Sequence, residues 1–237
     1  MTKCQSYRHL ITFLFLAGWV SGRPMDIKSP NLEPSRGGKR RAPVMVPPDA
    51  TNNFALGCHV TANAKPLLED KAAHDTPLGD LSCITDGRKE HDDKRVSLPS
   101  GKQWVQLDLG EAKEVWAIHI WYWYEYGCAY HDVVVQLSND RCFTNGVATV
   151  FNNDHDNTSG LGRGKDKEYI ACSEGRGIAV NGDRVRYIRI YSAGSTESPN
   201  NRYTEVEVYG RFPAKNPISE ESPRVPVKIM FPKPIFM

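Results

Sequence analysis

The sequence predicts an all-β fold, an antiparallel β-sandwich, on three observations. Short segments rich in β-branched and aromatic residues recur along the chain, and connections rich in Gly, Asn and Asp separate them. Helical periodicity does not extend over any long stretch, so the alternation of strands and helices typical of a parallel sheet is missing. Several short strands with turn-forming residues between them are typical of a sandwich.

The strongest strand signal runs from Trp104 to Tyr124. Apolar and polar or aromatic residues alternate from Trp104 to Leu109, which indicates a strand with one apolar face. After a polar turn, the run from Val115 to Tyr124 is apolar on both faces and fits a strand that is covered on both sides. The other predicted strands are Val60 to Asn63, His131 to Ser138, Val147 to Phe151, Tyr187 to Ser192 and Tyr203 to Tyr209.

Composition divides the 237 residues into four parts. Two basic residues precede an apolar run that ends at Val20, which predicts a cleaved signal peptide over residues 1–22 and a secreted or extracytoplasmic protein. An uncleaved anchor is the alternative, but the run is shorter than the about 20 residues that span a bilayer. Residues 23–50 predict a flexible Pro- and Gly-rich linker, residues 51–212 the folded domain, and residues 213–237 a Pro-rich tail.

The charge of the chain bears on its partners. A formal net charge of +2 gives no reason to expect a nucleic-acid partner. A local basic cluster formed by Arg36, Lys39, Arg40 and Arg41 stands in the predicted linker, and we interpret it as linker charge or as a processing site.

The cysteines predict disulfides in an oxidising compartment. Loss of Cys4 with the signal peptide leaves five of the six cysteines. We expect Cys58 to pair with Cys83, and Cys142 with Cys172, because each pair encloses a loop excursion. Spacing alone leaves the connectivity open.

Five strings, in this order, resemble the discoidin-like, coagulation factor 5/8 type C family. They are Ile84-Thr-Asp-Gly87, Trp104-Val-Gln-Leu-Asp-Leu-Gly110, His131-Asp-Val-Val-Val-Gln-Leu-Ser138, Arg186-Tyr-Ile-Arg-Ile190 and Glu205-Val-Glu-Val-Tyr-Gly210. The resemblance covers about residues 53–211 and implies a galactose-binding-like jelly-roll sandwich, as in family 32 carbohydrate-binding modules. It implies a non-catalytic module that binds carbohydrate or a glycoconjugate through loops at one end.

The chain departs from that family in two ways. The disulfide that commonly ties the two ends of a discoidin domain has no counterpart, because Cys172 is the last cysteine. The loop after Gly87 is too charged to enter a bilayer, so direct membrane insertion is not expected.

The resemblance also implies a structural calcium ion. In the carbohydrate-binding relatives, calcium often joins the loop after the Asp-Gly turn to the carboxylate that opens the last strand. The matching residues are Asp86 and Glu205, with Asp92 or Asp93 as helpers. Calcium takes about six to eight oxygen ligands, which such a loop can supply. In the alternative interpretation, Asp86 caps a turn and Glu205 belongs to a surface charge pair.

Candidate sugar-binding residues lie in three loops. The polar loop 151–162 can hydrogen-bond sugar hydroxyls or hold a metal, or its side chains can simply order a turn. Its candidates are Asn153, Asp154, His155 and Asp156. Exposed rings pack on the apolar face of a sugar. The candidates after the long strand are Tyr126, Tyr130 and His131, and those near the last strand are Asn200 and Arg202.

Two other functions stay open at this stage. An adhesion module that binds a surface protein would use the same loops. A hydrolase would need His131, Asp132 and the Asp154-His155-Asp156 string in a catalytic geometry. The sequence lacks a nucleophile elbow, a zinc-protease motif and a phosphate-binding loop, so we predict a binding module and no enzyme.

Overall fold

The computed structural model describes residues 29–67, 80–89, 95–124 and 127–214. Within these ranges the chain forms eight strands and a short 3-10 helix, Leu81–Thr85. The strands are β1 (Asn52–Asn53), β2 (His59–Ala62), β3 (Val96–Leu98), β4 (Gln103–Tyr122), β5 (Val134–Ser138), β6 (Ala148–Asn152), β7 (Arg176–Ser192) and β8 (Asn201–Arg211). Every pairing between these strands is antiparallel, so the predicted all-β antiparallel fold is confirmed.

Strands β4 and β7 form a long ribbon that bends in its middle. Their register shifts between Asp108 and Lys113, close to Gly110 on β4 and Gly182 on β7, which have φ values of +80° and +76°. On one side of the bend the ribbon pairs with β2 and with β5, which in turn pairs with β6. On the other side β4 pairs with β8. The bend therefore folds one hydrogen-bonded sheet into two layers.

The two layers enclose one apolar core. Its buried residues include Leu107, Leu137 and Ile190 from one layer and Ile120 and Val206 from the other. These side chains alternate with more exposed neighbours along β4 and β7, as the period-two pattern requires. The core is thus that of a β-sandwich.

The observed strands are longer than the predicted ones at two places. The segments 104–109 and 115–124 were expected to be separate strands, but β4 continues through the polar residues between them with a register shift. Strand β7 begins at Arg176, well before the predicted start at Tyr187, because its first half pairs with β4 although it carries polar residues.

The bend gives a prediction about two glycines. A Cβ on Gly110 would meet open space, whereas a Cβ on Gly182 would lie 2.8 Å from Cζ2 of the Trp116 ring. We expect Gly110→Ala to lower the free energy of unfolding by about 1 kcal/mol, from the positive φ alone. Gly182→Ala should cost about 2 kcal/mol, because the indole must also move. Urea unfolding measures both values, and equal losses would contradict this account of the bend.

An N-terminal arm, residues 31–44, lies against the sandwich. Leu32 bridges to Glu168, and the buried Asn31 donates from Nδ2 to the carbonyl oxygen of Asn153 at 3.0 Å. The expectation of a flexible linker is therefore wrong for these residues. Polar contacts with distant parts of the chain hold the arm, and composition does not reveal them. The predicted signal peptide and the tail beyond residue 214 lie outside the described residues. Among the described residues, no helix has the length and apolar character to cross a membrane.

Neither predicted disulfide is formed among the described cysteines. Cys142 lies in the hairpin between β5 and β6, near the bend, whereas Cys172 precedes β7 at the opposite end of the ribbon. Those two thiols are too far apart to bond. Cys58 is partly buried, and burial raises the pKa of its thiol to about 12, which keeps it protonated.

Candidate functional site

Several loops meet at the end of the sandwich opposite the bend, which we call the open end. Because the ribbon folds back, β4 both begins and ends there, and so does β7. The described parts of these loops are 99–102, 123–124, 127–133, 153–168 and 193–200. His131 N donates to the oxygen of Gly194 at 3.0 Å, and Asn153 N donates to that of Val133 at 3.0 Å. The open end is therefore a set of loops joined by backbone hydrogen bonds.

Asp154 organises the polar loop from beneath its surface. Its side chain is fully buried, and its two carboxylate oxygens accept backbone N–H bonds from Asn157, Thr158 and Ser159 at 2.7, 3.1 and 2.9 Å. Asn153 is equally buried and accepts from Val133 N at 2.6 Å. Both side chains support the loop, which is the ordered turn of the alternative interpretation, and a ligand contact for either one stays a prediction.

Above this support the loop presents polar groups to solvent. His155, Asp156 and Thr158 are exposed. Thr158 Oγ1 donates at 2.8 Å to Asp132, which precedes β5 with a φ of +51°. From its sequence position Asp132 is a candidate only for a hydrolase, yet the structure places it beside the polar loop. The sequence signal that could have identified Asp132 is its position, as a polar residue between His131 and the start of β5.

The carboxylates of Asp132, Asp154 and Asp156 lie within 4.8 Å of one another. Burial, and then the charges of Asp154 and Asp156, raise the pKa of Asp132. Asp154 already accepts three N–H bonds, so only Asp132 and Asp156 have oxygens to offer a ligand donor or a cation.

His131 is held from one side by a buried acid. Its Nδ1 lies 2.9 Å from Oε1 of Glu168, whose side chain is only 4% exposed. This hydrogen bond raises the pKa of His131 and fixes the orientation of the ring. The half-buried imidazole thus lies at the open end in a set position.

The predicted aromatic contacts are not where we expected them. Tyr130 is only 2% exposed, its ring stacks on Tyr122 at 4.1 Å, and its hydroxyl donates to the oxygen of Trp123. The expectation that Tyr130 is exposed on a loop is therefore wrong, because this tyrosine fills the core under the loops. Tyr126 lies outside the described residues.

The two candidates near the last strand lie at the open end. Asn200 is partly buried in the loop 193–200, and the Arg202 guanidinium lies 4.9 Å from the centre of the Trp123 ring. A ligand contact for either residue stays a prediction.

Glu205 forms a second polar site, on β8. The residue is fully buried, its Oε1 accepts from Gly87 N at 3.2 Å, and its Oε2 has no hydrogen-bond partner among the described residues. Burial, together with the charges of Asp86 and Glu207, raises the pKa of Glu205 to about 8. The interpretation of Glu205 as half of a surface charge pair is therefore wrong.

The residues around Glu205 fit a divalent cation. A buried carboxylate oxygen without a partner, with a second carboxylate nearby, is an arrangement that a cation would neutralise. Asp86 is exposed and accepts from Arg88 N at 2.9 Å, which is the turn cap that the sequence offered as an alternative. Asp92 and Asp93 lie outside the described residues.

Comparisons with known proteins give structural neighbours only. No protein-family model matches the chain, and no curated protein sequence matches it. Chitosan-binding module 1 of a chitosanase/glucanase from Paenibacillus sp. IK-5 is 20% identical and has a TM-score of 0.46, with 67% of this chain and 99% of that one covered.

Two further neighbours are also sugar-binding modules. The family 32 module of AlyQ, in complex with 4,5-unsaturated mannuronic acid, is 20% identical over 63% of this chain and 92% of its own, with a TM-score of 0.43. The lectin domain of lectinolysin, complexed with Lewis B antigen, is 16% identical over 68% and 97%, with a TM-score of 0.44.

Proposed function

We propose that this chain is an exported, non-catalytic module that binds carbohydrate at its open end. The observation that carries the proposal is the polar loop, in which buried Asp154 fixes the backbone of residues 157–159, and with it the turn that carries exposed His155 and Asp156 beside Asp132. The five strings that resemble the discoidin-like family support the same function.

The chemistry of these groups suits a sugar. Sugar hydroxyls act as donor and acceptor together, and a site for them needs both kinds of partner. Asp132 and Asp156 supply acceptor oxygens, and the imidazoles of His131 and His155 supply donors. The Thr158 hydroxyl, which donates its proton to Asp132, offers a further acceptor oxygen. Because Asp154 fixes the loop before any ligand arrives, little conformational entropy is lost on binding.

The same geometry argues against catalysis at this end. Asp154 is fully buried, and its two oxygens accept three backbone N–H groups, so it is not available to a substrate. A general base needs an acceptor that is available to the substrate. A protein ligand at the open end is the second candidate that the experiment below separates from a sugar.

We further propose that Glu205 and Asp86 hold a structural calcium ion. The ion would offset the negative charge of the buried carboxylate and tie the turn at Gly87 to β8. This proposal rests on the Oε2 atom of Glu205, which has no partner among the described residues.

Affinity measurements on matched variants test the sugar site. For the glycan that the chain selects from an array, we expect Asp156→Asn to weaken binding about tenfold, since a charge-assisted bond to a hydroxyl is lost. His155→Ala should weaken it by a similar factor. The control is Asp183→Asn, an exposed aspartate near the bend, which should leave the affinity unchanged. A folded chain that binds no glycan, or that binds it equally well in all three variants, would overturn the proposal.

A further inference from the structure

A cavity of about 590 Å³ lies between the N-terminal arm and the sandwich. The arm contributes Glu33, Arg36, Arg40 and Arg41 to its lining, and the start of β7 with the chain before it contributes Arg176 and Glu174. Sites for small ligands have volumes of about 300–1,000 Å³. The cavity is therefore large enough for a ligand of one or two sugar rings.

The lining carries more positive than negative charge. Four guanidinium groups face two carboxylates, which leaves two positive charges. His119, which also lines the cavity, adds none at neutral pH, because burial lowers the pKa of its imidazole. A cavity with this excess attracts an anion.

The two carboxylates are already engaged. Glu33 lies 2.7 Å from Arg41 and 3.1 Å from Arg176. Glu174 accepts from Arg36 Nη1 and from the backbone N of Arg41, each at 3.0 Å. These bonds attach the arm to the sandwich and fix three of the four guanidinium groups around the cavity.

Arg40 is the cation that these bonds do not hold in place. Its side chain is 94% exposed, and its Nε lies 3.8 Å from Glu174, at the limit of an ion pair. An exposed pair at that distance contributes little to stability. Arg40 is therefore available to an incoming anion at the mouth of the cavity.

Apolar groups complete the lining. Val44 packs over Gly177, where an added Cβ would lie 2.7 Å from Val44 Cγ2, so the missing side chain lets the arm approach. Pro43 lies beside Val44 in the wall. The cavity thus combines an apolar wall with cationic groups.

We infer that this cavity binds an acidic saccharide, through the carboxylate of a uronic acid or a sulfate ester. Both groups present the paired oxygens that a guanidinium recognises, and a sugar ring suits the Val44 and Pro43 wall. The inference deepens the proposed function and rests on it, because it adds a second saccharide subsite of defined charge. A neutral glycan would use the open end alone.

Calorimetric titration of the full chain tests the inference. The probes are tetragalacturonate for the carboxylate, a heparin tetrasaccharide for the sulfate, and the neutral glycan selected from the array. Arg40→Gln should weaken the binding of at least one acidic probe about fivefold and leave the neutral glycan unaffected. The matched control, Arg184→Gln, alters another exposed arginine, near the bend, and should change neither.

The outcomes separate the two proposals. If Arg40→Gln and Arg184→Gln weaken acidic probes equally, the attraction is non-specific and the cavity inference fails. It also fails if the neutral glycan binds and neither acidic probe does, although the open-end function then stands. Failure of all three probes to bind the folded chain overturns both.

Discussion

Replacing Asp154 by alanine is expected to lower the free energy of unfolding by about 3 kcal/mol and to weaken glycan binding as well. The change leaves the backbone N–H groups of Asn157 and Ser159 without the carboxylate that accepts them, and that of Thr158 keeps only its bond to Asp156. Hydrogen bonds to a charged acceptor contribute about 1.5–3 kcal/mol each, and losses within one group are not additive. Urea unfolding measures the loss.

The neighbouring residues supply the controls. Asp154→Asn keeps one acceptor oxygen, so we expect about half of the loss. Asp156→Ala removes an exposed carboxylate and should cost no more than about 0.5 kcal/mol. If Asp154→Ala is as stable as Asp156→Ala, then Asp154 does not support the loop.

The calcium-free protein is expected to lose thermal stability between about pH 5 and pH 8, by more than about 5 °C, and calcium should restore it. The pKa of Glu205 is raised from 4.5 to about 8 in the folded protein, mainly by burial. Because the folded state has the higher pKa, it binds the proton more tightly than the unfolded state does. The resulting contribution to the free energy of unfolding is complete below about pH 4.5 and is lost as the pH rises to 8. Calcium takes the place of the proton, so it should stabilise more at pH 8 than at pH 5.

Glu205→Gln isolates this effect. The variant cannot ionise at residue 205, so its melting temperature should vary less with pH and should not respond to calcium. His131 has a raised pKa too and contributes a decline of the same sign, so the informative quantity is the difference between wild type and variant. Glu197→Gln, at an exposed position, is the matched control. Identical pH profiles for wild type and Glu205→Gln, each unaffected by calcium, would rule out both the titration and the ion.

The fold follows from local patterns, and so it could be predicted. Alternation from Trp104 to Leu109 predicts the first half of β4 with one face toward the core, and the apolar run after Val115 predicts its second half. The pattern does not predict that β4 is continuous. The register shift near Gly110 lets this one strand take part in both layers. Such a shift depends on the partner strand, which lies far away in sequence.

Whether a loop residue is buried is harder to predict than whether the residue lies in a loop. Asn153 and Asp154 have the composition of a recognition loop, but contacts with Val133 and with the following turn bury them. Tyr130 follows the long strand as an exposed aromatic would, yet it stacks in the core on Tyr122. The packing of the arm was equally hard to predict, because Glu33 pairs with Arg176, which lies far along the chain.

The most direct test of the open-end site is an NMR titration of the full-length, isotope-labelled chain with its selected glycan. We predict that amide shifts concentrate in residues 131–132 and 155–158, with little change at residues 139–147 near the bend. Shifts centred on the bend, or no shifts at saturating glycan, would contradict the assignment of carbohydrate binding to the open end.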